Sequence, residues 1–480
     1  MFWVLISTAA VLYFLYTWMT MKPKNFPPGP PYLPIVGSTP FIARKHFHLT
    51  MDDLGKKYGP VVGLFTPDRT ISVSDPSTVL EVLRREEFQG RPDSYLIRER
   101  NLNKRLGIAW NDGPDWVEQR RFTLRHLKEF GFGRTSMEQF VIEEFEELEK
   151  ELENKTVQVS NLFNASVMNV LWSMMGGTRF KRGDPQLQKL LNTLNVLFRS
   201  GFFLRMTGIF SLLVDVFPNI FDPHGTRHMK QFEEFMKKVI DQHERVLDKE
   251  EPTDFIGVYL KEMKKQSGGR SSFSDDMLIA TCLDLFSAGG ESIGNTLSFA
   301  MLYMVLYPEV QEKVQKEIDR HLRRNQTPTL QDRSSLPYTE AVIMEIQRSN
   351  SIAPLTAPHR VTRDTELRGY FIPKHTLVLI SVWSLLQDKC HWEDVNSFRP
   401  ERFLDDSGKV IKDDWFIPFG LGKRVCAGEA FARNTLFLVF TSLMQKFTVT
   451  TPLGKSRPET FPLPGFTTAP KPFEVTFTPR

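Results

Sequence analysis

Hydrophobic positions divide the chain into stretches of different period. Residues 1–21 are mostly apolar and carry no charged side chain. At a ~1.5 Å rise per residue, a helix of that length covers roughly the ~30 Å hydrocarbon core of a bilayer. Trp3, Tyr13, Tyr16 and Trp18 are aromatics that favour the membrane interface. A cleaved leader would carry a basic start and a small-residue cleavage site, and neither is clear. The first positive charges, Lys22 and Lys24, follow the run. Together these features predict a single N-terminal transmembrane anchor over 1–21, with the body in the cytosol. The sequons at Asn154, Asn164 and Asn325 are then expected to stay unmodified. Pro27, Pro28, Pro30, Pro31 and Pro34 predict a stiff, extended linker over 22–38.

Beyond it the period changes repeatedly. VVGLF and TISVS between Val61 and Val73 read as strands, and Leu80 to Arg85 as helix. Gln89 to Ala109 is long, irregular and charge-rich, and stretches of that kind are often functional. Helices are predicted over Asp112–Phe130, over the charge-rich run Glu143–Lys155, and ending at Glu340–Arg348. Leu187–Phe221 is apolar and includes Phe198, Phe202, Phe203, Phe210 and Phe217. It reads as core by default. Ser274 is a candidate cap for a long apolar helix over Met277–Tyr307. Leu377–Ser381, Phe447–Thr450 and Phe473–Phe477 read as strands, and a helix opens at Gly428. The fold class is mainly α with a smaller β region, and the body, 39–480, reads as one unit.

Formal net charge is only +4 with signs mixed, which does not suggest a nucleic-acid binder. Three widely spaced cysteines, Cys282, Cys390 and Cys426, imply no disulfide framework. Cys282 sits in an apolar helical run, and Cys390 beside His391 is too little for a metal site.

Cys426 is different. It lies in FIPFGLGKRVCAGEAF, residues 416–431, with Phe419, Gly422 and Arg424 ahead of it and Gly428 behind. A thiolate ligates metal strongly if something keeps it ionised. Arg424 and the start of the following helix are candidates for that role. Gly422 and Gly428 remove side chains where a flat ring system could approach the backbone. The order Phe-x-x-Gly-x-Arg-x-Cys-x-Gly resembles the haem-binding loop of the haem-thiolate monooxygenases, the cytochromes P-450.

Other stretches gain meaning beside it. Trp116 and Arg120, spaced i, i+4, share a helix face. Alone they read as a partly buried Trp under an Arg stem. Beside Cys426 they resemble the family's haem-propionate ligands, as do His359, Arg91 by its place in the loop, and Arg424. Ala288-Gly289-Gly290-Glu291-Ser292 interrupts the long helix. Two mid-helix glycines cost about 1 kcal/mol each, accepted where something approaches the backbone or the helix bends. The stretch reads equally as a helix crossing or as the family's oxygen-activation segment. In the latter, Glu291 and Ser292 are the candidate catalytic proton carriers, with Ser292 in place of the usual threonine. Glu345, Arg348 and Arg402 resemble the family's structural triad. Ala288, the segment with Ile352 and Leu355, and the turn with Phe466 and Thr467 are candidate substrate-pocket residues, although 464–467 reads as economically as a plain β-turn. Arg121, Arg125 and Lys128 form a basic patch that could receive an acidic electron donor. In this family Phe198 to Phe217 would belong to a substrate entrance and second membrane contact.

The resemblance implies haem b between the long helix and the cysteine loop, with Cys426 as the metal ligand and Phe419 and Gly428 against the cofactor. It implies NADPH used indirectly through NADPH-cytochrome P-450 reductase, O2, membrane lipid, and a small apolar substrate such as a terpenoid, steroid, fatty acid or xenobiotic. The implied location is the endoplasmic reticulum membrane. The implied reaction is insertion of one oxygen atom by hydroxylation or epoxidation. The chain most resembles microsomal animal members, and an insect hormone-pathway enzyme is one such type. The alternatives are a haem-thiolate isomerase or dehydratase needing no O2, and a non-catalytic haem-binding sensor.

Overall fold

The computed structural model describes residues 2–20, 22–33, 37–42, 46–66, 68–199, 225–266 and 271–480. Its axis is one helix, Asp275–Leu306, 32 residues long. Ser274 caps it by accepting from the Met277 N–H at 3.2 Å. Almost every residue along it is buried, as expected of a helix that is apolar on all sides. The helices Asn164–Gly176 and Glu429–Lys446 pack against it.

The smaller β region lies to one side. The strands are β1 (Val61–Thr66), β2 (Asp68–Val73), β3 (Lys155–Gln158), β4 (His359–Arg360), β5 (Thr365–Leu367), β6 (Tyr370–Ile372), β7 (Leu377–Ile380), β8 (Phe447–Thr450) and β9 (Glu474–Pro479). The main sheet has the order β1-β2-β7-β4. The β1–β2 pair is antiparallel, as the alternating pattern predicts. β7 joins β2 in parallel, with Val73 opposite Ile380, and carries β4 antiparallel, with Val378 opposite His359. That register brings His359 to the central cavity. A second sheet has the order β3-β9-β8. β3 corrects the sequence reading of a helix through Lys155. The helix Glu138–Leu152 stops, Asn154 turns at φ +56°, and Lys155 opens the strand. Asn tolerates that left-handed conformation better than most residues.

The expected triad forms behind the haem-type loop. Glu345 Oε2 accepts from Arg348 Nε at 2.7 Å and lies 3.1 Å from Arg402 Nε. Glu345 and Arg348 are fully buried. The second cation is balanced by backbone carbonyls: Arg348 reaches those of Leu386 and Val395, and Arg402 that of Glu393.

The proline segment is no loose tether. Gly63 N donates to Pro28 O at 2.7 Å, and Phe26 is buried with its ring 5.4 Å from that of Phe65. A Cβ on Gly29 would sit 1.8 Å from the Gly63 carbonyl oxygen, so only glycine fits there. Ahead of it, Phe2–Thr20 is helical, and its described side chains, Ile6 to Leu15, are exposed. Among the described residues no helix is long and apolar enough to cross a membrane. Phe198 lies on the helix Pro185–Arg199, and the expectations for Phe202, Phe203, Phe210 and Phe217 lie outside the described residues. Of the sequon asparagines, Asn164 is buried, whereas Asn154 and Asn325 are exposed.

Candidate haem-thiolate active site

The Cys426 loop is built by short-range bonds. Cys426 N donates to Phe419 O at 2.9 Å, and Gly422–Arg424 form a single 3-10 turn. Gly422 has φ +77°, and a Cβ there would lie 2.2 Å from the Leu83 carbonyl oxygen. Its role is therefore to seat the loop on the helix Pro76–Arg84, not to admit a ring as the sequence suggests. At Gly428 an added Cβ would meet Phe132 at 3.7 Å and the Cys426 sulfur at 4.0 Å, ordinary contacts. Gly428 keeps the flank of the sulfur open.

Cys426 faces a cavity of about 320 Å³, a size typical of ligand sites. Phe419, Gly428, Arg91, Arg120, Arg424 and His359 share its wall with Ala288, Gly289, Ser292 and Ile352. Burial pushes the Cys426 thiol above its ordinary pKa. The Gly428 N–H and the Arg120 charge pull it the other way without prevailing. A metal cation at the sulfur would favour the thiolate.

The cations at the rim form a cluster. Arg424 is pushed down to about 8, first by burial and then by repulsion from Arg91, with Asp112 opposing. Arg91 is pushed down to about 10 by burial and by Arg120. Burial and Arg91 hold His359 well below its usual range. Its Nδ1 lies 2.7 Å from Phe88 O, so the neutral ring donates there. Repelling guanidiniums with few carboxylates near them are a costly thing to bury. A ligand bearing two carboxylates relieves that cost, and haem carries two propionates. Thiol, largely apolar cavity and cationic rim together fit haem.

Trp116 is a correction. Its indole N–H donates to Ile108 O at 2.9 Å and is not offered to a carboxylate. It serves instead as a plate, with Arg424 lying 3.6 Å from its ring centroid and Arg120 at 5.9 Å. Arg120 Nη2 also donates to Val425 O at 2.5 Å, and Arg91 Nη1 to Ala357 O at 2.7 Å.

The long helix divides its residues between two neighbours. Ala288, Gly289 and Ser292 border the cavity. A Cβ on Gly290 would meet the Met168 sulfur at 2.6 Å, and one on Gly289 would meet Leu171 Cδ2 at 2.7 Å. The helix-crossing reading of the glycine pair therefore holds, alongside the cavity contact at Gly289. Ser292 Oγ donates to Ala288 O at 2.7 Å. Glu291 is buried on another side, accepting from Thr467 Oγ1 at 3.0 Å.

Of the expected pocket residues, Ala288 and Ile352 line the cavity. Leu355, Phe466 and Thr467 do not. Leu355 packs with Val62 and Leu379 beside the main sheet, and Phe466 sits 6.3 Å from Trp110, ring to ring. Asp284 is a wall residue that the sequence reading missed. It accepts from the Ile108 and Ala109 N–H groups at 2.7 and 2.8 Å and pairs with Arg100 at 2.6 Å. This pins the irregular 89–109 stretch to the long helix. The signal was an acid inside an apolar helical run. Cys390 is no ligand partner of His391, whose Nε2 lies 2.7 Å from Asp413 Oδ2. Arg121, Arg125 and Lys128 are exposed, as expected.

A mainly helical fold that brings a cysteine sulfur and the Ser292 face of its long helix to one cation-rimmed cavity defines a haem-thiolate oxygenase. The cytochrome P450 family model matches residues 27–477, and the chain belongs to that family. It is 34% identical to farnesoate epoxidase of Bombyx mori over 99% of this chain and 98% of the relative. It is 36% identical to probable cytochrome P450 305a1 of Drosophila melanogaster, covering 96% and 95%. It is also 35% identical to cytochrome P450 2C11 of Rattus norvegicus, covering 99% and 97%. The protein is a haem-thiolate monooxygenase that binds haem b and draws on NADPH through a reductase.

Proposed function

We propose that this monooxygenase oxidises a small terpenoid, by epoxidation or hydroxylation, at the cavity between Cys426 and the long helix. The supporting observation is that Cys426, Ser292 and the Arg91–Arg120–Arg424 rim open onto one enclosed, largely apolar space. The full-length likeness to a farnesoate epoxidase favours the terpenoid class over the others.

Haem held by the Cys426 sulfur supplies activation of O2, which thiolate donation favours. Arg91, Arg120, Arg424 and His359 would hold its propionates, and Phe419 and Gly428 would flank it. Ala288, Leu285 and Ile352 present apolar surface that binds substrate and excludes water. Ser292 Oγ holds a proton at the cavity wall, and Glu291 is the acid nearest to it in sequence. The exposed patch of Arg121, Arg125 and Lys128 receives the reductase. The charge-free run of residues 1–21, followed by Lys22 and Lys24, supports a location at the endoplasmic reticulum membrane with the body cytosolic.

The test is spectral and chemical. Reduced protein under carbon monoxide is expected to show the red-shifted Soret band of thiolate ligation, and Cys426→Ser is expected to lose it. Incubation with reductase, NADPH and farnesoate is expected to give an oxygenated product. A wild-type band without the red shift overturns the ligand assignment. Absence of product from farnesoate but oxygenation of a steroid overturns the terpenoid reading.

A further inference from the structure

Glu291 and Ser292 adjoin in sequence, yet the fold points them apart. One residue of helix is about 100° of rotation. Ser292 borders the cavity, while Glu291 is 3% exposed and turned towards the C-terminal turn. There Thr467 Oγ1 donates to Glu291 Oε1 at 3.0 Å, and Asn295 Nδ2 lies 3.4 Å from the same oxygen. The turn is itself tied down. Leu463 bridges Ala469, and Asn295 Nδ2 donates to Thr468 O at 3.1 Å. Thr468 N donates to Ile352 O at 2.8 Å, and Thr468 Oγ1 to Ser351 O at 3.0 Å. Ile352 on the cavity wall is therefore hydrogen-bonded to Thr468, and its chain neighbour Thr467 to the acid of the long helix.

We infer that Thr467 is a positioning residue that holds the Glu291 carboxylate and governs how readily it serves Ser292. A hydroxyl donating to a carboxylate makes a bond stronger than a neutral one. Held this way, Glu291 is kept on the turn side of the helix. A substrate that presses on Ile352 shifts the Thr468–Thr467 pair and alters that hold. The wall residue thereby reports occupancy of the cavity to the proton carrier. This rests on the oxygenase reading of the cavity given above.

The test uses the full-length holoprotein. Thr467→Val removes the hydroxyl and keeps the shape; Thr467→Ser keeps the hydroxyl; Glu291→Gln identifies the Glu291 carboxylate band in the infrared. In Thr467→Val that band is expected to shift. Hydrogen peroxide released per NADPH oxidised, with reductase present, is expected to change roughly fivefold, the scale of one lost hydrogen bond. Thr467→Ser is expected to restore both. If the valine variant does not fold, Thr467→Ala supplies the same deletion. An unmoved band in a folded deletion variant, or a serine variant that behaves like the deletion, overturns the inference. Absence of the thiolate-type carbon monoxide band from wild-type protein overturns the oxygenase reading instead, so the two failures are distinguishable.

Discussion

Arg424 is held by two backbone carbonyls and an aromatic face. Its Nε donates to Gln89 O at 2.9 Å, its Nη1 to Asn111 O at 3.0 Å, and its guanidinium lies over Trp116. Lysine could keep a charge there but could not make the fork and the stack together. Arg424→Lys is expected to release haem roughly tenfold faster, as hydrogen bonds from a charged group are lost. Transfer of haem to an excess of acceptor protein, followed by the Soret band, measures this. Arg424 could be read from the sequence because its place in the Cys426 motif is local. The job of Trp116 could not. Spacing puts Trp116 and Arg120 on one face, but only the fold decides that the indole N–H meets Ile108. The same holds for Glu291, whose direction depends on which neighbour, Thr467 or the cavity, the helix turns towards it.

Among the elements, the long helix and β1, β2, β7, β8 and β9 were legible because each follows from a short pattern with a cap or a turn, whereas the two- and three-residue strands β4, β5 and β6 are too short to carry one. Ser274 is the clearest case. Lys155 was misread because charge-rich helix and edge strand share a composition, and only pairing with Phe477 across β9 tells them apart. The triad lies between these cases. Glu345 and Arg348 adjoin on one helix, whereas Arg402 arrives from far along the chain. Both oxygens of Glu345 are engaged, Oε1 also accepting from the Arg399 N–H at 3.0 Å. Glu345→Gln leaves buried cations without their counter-charge and is expected to cost about 3–5 kcal/mol. A lowered urea midpoint with an unchanged slope is the expected readout.

For the molecule as a whole, acid is the condition to which the fold is most exposed. His48 is buried beside His46 and Trp383, and burial, then the His46 charge, lower it to about 4. When the chain unfolds, His48 regains its ordinary value near 6.5 and takes up a proton, so the unfolded state binds more protons below that pH. Its contribution is complete above about pH 6.5 and declines as pH falls towards 4, by up to about 3 kcal/mol. His48→Gln is expected to flatten the stability profile across that window, as followed by thermal unfolding at a series of pH values. His359 adds a loss of the same sign. The cavity was the least legible feature of all, because its wall draws single residues from distant segments. Asp284 and Ile352 meet there only because the long helix and the segment before β4 converge.

The strap of Phe26 to Gly29 across β1 bears on how far the protein can be shortened from its N-terminal side. β1 is an outer strand of its sheet, and Pro28 occupies the N–H of Gly63. A truncation starting at Lys22 keeps that cover and is expected to melt with the parent's midpoint. One starting at Tyr32 strips it away and leaves a hydrogen-bonding edge open to other chains, an invitation to aggregate. Light scattering of the two shortened forms, side by side during heating, would show where the protein's body really begins.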